Sequence, residues 1–241
     1  MTEQATTGAN NSEMQAALQP ERKVKVWDPL VRIGHWVLAG GFLTAYLTAE
    51  ENQGVHVWAG YAVAAVVALR LIWGVIGTQH ARFANFVKGP GAVLGYLGGL
   101  FTGTSKRSLG HNPAGAAMII ALLIGVGGTA VSGMALYAVE EGKGPLAGWI
   151  APASGASGGE ETGDEEANEE REMAGAGAQP AGEGGERGEG AEEAYEDVHK
   201  AFVNFTLLLI GLHIVGVIAS SLAHRENLVR AMITGRKRAE D

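Results

Sequence analysis

The sequence predicts an all-α integral membrane protein, a four-transmembrane-helix bundle with both termini cytoplasmic. Three observations predict it. Four apolar runs are long enough to cross a bilayer, the connectors between them alternate in charge, and four of the seven histidines fall inside the runs at two depths.

Whole-chain averages conceal this. Mean hydropathy is only +0.08 and the net charge is −8, values that would suit a soluble acidic protein. The charge is concentrated, however. Between Glu140 and Asp197 there are 17 acidic and 3 basic residues, while the rest of the chain carries 9 acidic and 15 basic ones. What surrounds the acidic stretch is a set of apolar runs joined by short basic connectors. No nucleic-acid partner is expected from such a chain, and membrane lipid is.

A spanning helix needs about 20 mostly apolar residues. Leu30 to Ala49, Val55 to Gly77, Ala114 to Val139 and Val198 to Ala223 qualify. Lipid offers no partner for backbone N–H and C=O groups, so each run is read as a helix, whose own bonds satisfy them. Pro29 and Asn112–Pro113 mark two of the starts, since proline suits the first turn. Gly91 to Phe101 is apolar but short and glycine-rich, and is read as an interfacial or re-entrant turn.

Orientation follows from lysine and arginine near the span ends. Basic residues gather before the first span (Arg22, Lys23, Lys25, Arg32), between the second and third (Arg82, Lys88, Lys106, Arg107) and after the fourth (Arg225, Arg230, Arg236, Lys237, Arg238). The other two connectors carry Glu50 and Glu51, and the acidic insert. This alternation predicts a cytoplasmic tail over residues 1–28 and transmembrane helices 1–3 over 29–152, with a cytoplasmic connector at 78–113. A disordered acidic periplasmic insert at 153–194, a fourth span at 195–223 and a cytoplasmic tail at 224–241 complete the organisation. The insert is Gly, Ala and Glu with few apolar side chains, too little buried surface to offset ordering entropy. It reads as low-complexity expansion, or as an acidic tether for a cationic partner such as a soluble cytochrome c. The first twenty residues are polar, with no apolar core of a signal peptide, and no cleaved signal is expected.

Ionisable residues inside membrane spans are rare and point to function. His35 lies near the cytoplasmic start of span one. His56 and His199 lie at the outer starts of spans two and four. His213 follows His199 by 14 residues, which places it about 21 Å deeper and only about 40° around the helix. The depths pair His56 with His199 near the outside, and His35 with His213 near the inside. Two neutral imidazoles facing each other from different helices suit a six-coordinate haem iron. Four histidines matched pairwise in depth point to two haems. The chain has no cysteine, which excludes Fe–S clusters, thiolate zinc sites and covalent C-x-x-C-H haem attachment. The cofactors expected are therefore two non-covalent haem b groups with bis-histidine ligation.

Arg70 follows His56 by 14 residues and falls on the same stripe at the inner level; Arg32 precedes His35 by three. Each is a candidate partner for a haem propionate, or a side chain snorkelling to the headgroups. Gly34, Gly41 and Gly60 would let backbone approach a flat ring, or serve plain helix packing. Trp27, Trp36, Trp58, Trp73 and Trp149 sit near span ends, as interfacial aromatics do. His80 and His111 are read as surface or capping residues, with a quinone pocket as the functional alternative.

The segments VWDPLVRIGHW (Val26 to Trp36), HVWAGYAVAAVVALRLIWGVIGTQHARF (His56 to Phe83), Gly89–Pro90, LGHNPAG (Leu109 to Gly115), DVHKAF…LLLIGLHIVGV (Asp197 to Val217) and HRENLVRAMITGRK (His224 to Lys237) together resemble the bacterial di-haem cytochrome b561 family, which includes the cytochrome b subunits of nickel–iron hydrogenases. The resemblance implies four helices in the inner membrane, haem b, and axial ligands at His35, His56, His199 and His213. It also implies electron transfer between a quinone pool and a protein or small-molecule partner. Two departures stand out: the long acidic insert, and Lys200 where many relatives have a glutamate.

The reading expected is thus a membrane-bound electron-transfer protein, with a quinone-linked oxidoreductase or a subunit of one as its enzymatic form. A close alternative is the cytochrome b membrane anchor of a hydrogenase-type complex, receiving electrons from a docked redox subunit. A haem-free transporter or proton relay is the distant alternative; it predicts broken helices or internal repeats, and the sequence has neither. Helices this rich in glycine also suit packing as a homodimer.

Overall fold

A computed structural model describes residues 23–25, 28–79, 81–104, 112–150 and 183–238 of the chain. In chain order these form β1 (Lys23–Lys25), α1 (Pro29–Thr48), α2 (Gln53–Ile76), α3 (Phe83–Phe86), α4 (Pro90–Thr102), α5 (Pro113–Glu141), α6 (Glu183–Ala223), α7 (Leu228–Thr234) and β2 (Arg236–Arg238). Four helices are long and apolar enough to cross a membrane: α1, α2, α5 and the Gly190–Ala223 part of α6. Large apolar side chains lie on their outsides; Leu222 is 74% exposed and Val75 72%. Such surfaces are tolerable only where the solvent is lipid. The protein is a multi-pass membrane protein.

Polar caps set the helix starts. The Asp28 carboxylate accepts from the Leu30 N–H (2.8 Å) just ahead of Pro29. Asn52 Oδ1 accepts from the Val55 N–H (3.1 Å), and Asn112 Oδ1 from the Gly115 N–H (2.7 Å). Each satisfies a donor that the first helical turn leaves without an intrahelical partner. The start at Asn112–Pro113 is the one the sequence indicates.

Two expectations need correction. The stretch Gly91 to Phe101, read as a turn, belongs to the helix α4. Glycine costs about 1 kcal/mol per helical position, but Pro90 pre-sets the first turn and Gly103, at φ 73°, ends the helix in the left-handed region. Its 13 residues rise only about 20 Å, too little to span. The second correction concerns the insert. Helix α6 begins at Glu183, inside the stretch expected to be disordered. Extending an existing helix needs no new nucleus, and Glu, Ala and Arg are good helix formers. The Lys200–Glu196 pair (2.6 Å) adds an i,i+4 contact. Residues 153–182, the remainder of that expectation, lie outside the described residues, as do Trp27, His80 and His111.

The chain divides into two compact units. The first comprises Met1–His35, Leu71–Ala117 and Gly216–Asp241. It gathers the start of α1, the end of α2, the start of α5 and the end of α6, with α3, α4 and α7. Thr78 Oγ1 donates to Asp28 Oδ2 (3.0 Å), joining the end of α2 to the start of α1. Asn112 Nδ2 donates to Tyr96 Oη (3.0 Å), and Tyr96 Oη lies 3.2 Å from His224 Nε2. β1 and β2 pair antiparallel, Lys23 opposite Arg238 and Lys25 opposite Arg236.

The second unit comprises Trp36–Arg70 and Met118–Val215. Here Val63, Val67 and Val126 form an apolar core on which Leu38 and Leu123 pack, so α1, α2 and α5 meet. Helix α6 joins them through hydroxyls. Thr206, fully buried, lies with its Oγ1 3.1 Å from that of Thr129 on α5. Interhelical hydrogen bonds in membranes average only about 0.6 kcal/mol, so this pair matters more for register than for stability.

Candidate haem site

His56 and His199 come together in the second unit. Their ring centroids are 6.3 Å apart and the ring planes stand at 87°. The two residues sit at the starts of apolar runs on α2 and α6, and both rings are half-buried.

Hydrogen bonds determine which nitrogen each ring has to offer. His56 Nδ1 lies 2.8 Å from the main-chain oxygen of Ala45 on α1. A carbonyl only accepts, so His56 carries its proton on Nδ1. His199 Nδ1 lies 3.1 Å from Ser132 Oγ on α5. The single hydroxyl proton of Ser132 is donated to the Thr129 carbonyl oxygen (3.1 Å), so Ser132 Oγ accepts from His199 Nδ1–H. Both rings are thus placed to donate from Nδ1, which leaves Nε2 as the nitrogen each neutral ring would offer to a metal. A ligating histidine needs that arrangement: one nitrogen for the metal, the other donated to an orienting acceptor.

The spacing suits the same role. A metal–imidazole bond is about 2 Å and the ring centroid lies about 1 Å behind the nitrogen, so two imidazoles on one six-coordinate iron have centroids about 6 Å apart. The observed 6.3 Å meets this. Close helix packing helps to seat the pair. A Cβ on Gly133 would lie 2.9 Å from His199 Cε1, and one on Gly41 would lie 2.9 Å from Val63 Cγ2. Gly60, one turn beyond His56, has no such neighbour within 4 Å. Of the glycines suggested as ring contacts, Gly41 is thus a helix-packing position, while Gly60 keeps the open space a ring needs. The residues present fit a bis-histidine haem.

The remaining sequence candidates are placed as follows. His35, half-buried, belongs to the first unit, and His213, half-buried, to the second. Arg70 is buried, 9% exposed, at the last position of α2 in the second unit. Arg32 donates from Nε to the Met232 carbonyl oxygen (3.0 Å) and from Nη2 to that of Ile233. These are carbonyls of the last turn of α7, where a cation suits the negative end of the helix dipole. Sequence reasoning missed Ser132 and Gly133. A signal was available: α5 has no charge between Pro113 and Tyr137, and Thr129 and Ser132 are polar positions in its interior, where polar side chains tend to bond across helices.

A family model described as prokaryotic cytochrome b561 matches residues 26–235. The chain is 29% identical over 177 aligned positions, covering 59% of its length and 73% of the relative's, to a protein of Azotobacter chroococcum mcd 1 named as a probable Ni/Fe-hydrogenase B-type cytochrome subunit. A protein of the same name from Azotobacter vinelandii is 28% identical over the same extent. No solved structure matches the chain. Four membrane-spanning helices, two histidines from different helices with their rings 6.3 Å apart, and a family match over most of the length lead to one conclusion: the chain belongs to the prokaryotic cytochrome b561 family and is a membrane b-type cytochrome.

Proposed function

We propose that this protein carries electrons across the inner membrane between two haem b groups, one held by His56 and His199 and the other by His35 and His213. The observation that carries the reading is the His56–His199 pair, with centroids 6.3 Å apart and both Nδ1 atoms engaged by acceptors. The second pair rests on the depth arithmetic of the sequence. Bound haem supplies one-electron chemistry at its iron. The chain's own residues do the rest: Ala45 and Ser132 orient the ligands, and the apolar helices exclude water. Arg70, buried on the stripe of His56, and Arg32, two of whose donors go to carbonyl oxygens of α7, are the candidates for haem propionates. The basic span ends support a cytoplasmic side for both termini.

At one end of the wire we place the quinone pool, and at the other a protein redox partner. The names of the two Azotobacter relatives favour a hydrogenase-type subunit over a soluble cytochrome c as that partner. A pyridine haemochrome assay on the purified protein tests the core of the proposal. Two haem b per chain are expected; one per chain would reject the paired assignment, and none would reject haem binding.

A further inference from the structure

The two ligands of the proposed outer haem are held by acceptors of different kinds. His56 Nδ1 bonds to a main-chain oxygen, that of Ala45, which no substitution of Ala45 removes. His199 Nδ1 bonds to a side chain, Ser132, which is 6% exposed. Ser132 is itself fixed, because its proton is committed to the Thr129 carbonyl. Thr129 in turn is held by its hydroxyl: Oγ1 donates to the Gly125 carbonyl (2.9 Å), so the contact with Thr206 at 3.1 Å has Thr206 as donor. The ladder has a second contact with the ring, through the Thr129 main-chain oxygen. It ends on the ring of His199, and Gly133 beside Ser132 leaves the space for that ring.

We infer that Ser132 is a positioning residue that sets the reduction potential of the haem ligated by His199. The inference rests on the ligand assignment proposed above. A ring that donates Nδ1–H to a fixed acceptor keeps more electron density and is the stronger ligand through Nε2. Stronger donation favours ferric over ferrous iron, so the Ser132 bond holds the potential down. Removing the acceptor lets it rise. No other described polar side chain bonds to either ring of the pair, which makes this the place where a single side chain tunes one haem and leaves the other alone.

The test is a spectroelectrochemical titration of the full-length holoprotein and three variants, with haem content measured on each. Ser132→Ala should shift one midpoint to a more positive value and leave the second where it is, at two haems per chain. Ser132→Thr, which restores a hydroxyl, should bring the midpoint back toward the parent value. His199→Ala identifies the haem concerned by losing it. If Ser132→Ala leaves both midpoints unchanged while His199→Ala loses one haem, the ligand assignment stands and this inference falls. If His199→Ala keeps both haems, the ligand assignment falls and this inference falls with it. Should Ser132→Ala lose haem outright, Ser132→Cys, with a weaker acceptor of similar size, carries the test: a midpoint equal to the parent's would overturn the inference.

Discussion

Gly133 has no room for a side chain, because a Cβ there would stand 2.9 Å from Cε1 of His199. The neighbour is a ring already tied to Ser132, so it has little freedom to move aside. Gly133→Ala should therefore displace His199 and lower the occupancy of one haem, seen as a fall from two toward one per chain. Gly40→Ala is the control: no neighbour lies within 4 Å of its Cβ position, and haem content should be unchanged.

The two proposed haem levels, His56 with His199 and His35 with His213, should be separable. His213→Ala should lose one haem and retain the one held by His56 and His199, and His56→Ala should do the reverse. Low-temperature reduced-minus-oxidised spectra of the two variants should be complementary. Loss of the same spectral component in both would reject the pairing.

Arg32 separates a structural role from a haem role. Each of its two bonds to α7 is worth at most about 1.5–3 kcal/mol, the range for hydrogen bonds to charged groups, less whatever solvent recovers at this half-exposed site. Arg32→Ala should accordingly make the segment after Ala223 more sensitive to limited proteolysis, with both haem spectra intact. A shifted haem spectrum with unaltered proteolysis would assign Arg32 to a propionate instead.

Because α6 starts at Glu183, the boundary of the insert can be drawn to preserve the helix. Deleting residues 153–182 should leave two haems per chain. Haem loss on that deletion would mean that the segment contributes to folding rather than to encounters with a partner.

Much of this was legible in the chain. The four spans needed only length and apolarity, and the starts at Pro29 and Asn112–Pro113 needed only the suitability of proline for a first turn. The pairing of His56 with His199 followed from helical rise and chain direction. The acceptors were less accessible. Ala45 contributes a main-chain oxygen, which any residue has, so nothing in its identity marks it. Ser132 becomes significant only when α5 and α6 are in register, a contact across 67 residues. Helix α4 replaces the expected turn because its glycines argue against a helix locally, while Pro90 at its start and Gly103 at its end favour one. The start of α6 was missed because composition speaks for a segment in isolation, and this one continues a helix already formed.

The short ladder between residues 23–25 and 236–238 constrains topology by parity. Strands that exchange backbone hydrogen bonds must occupy the same compartment, so the chain between them crosses the bilayer an even number of times, whatever the hydropathy of any one segment. It also imposes an order in time. Residues 23–25 leave the ribosome about two hundred residues before their partners, and the seam can close only after the last span is in place. A chain arrested with three crossings would leave its two tails on opposite sides, and the missing ladder would mark it as incomplete.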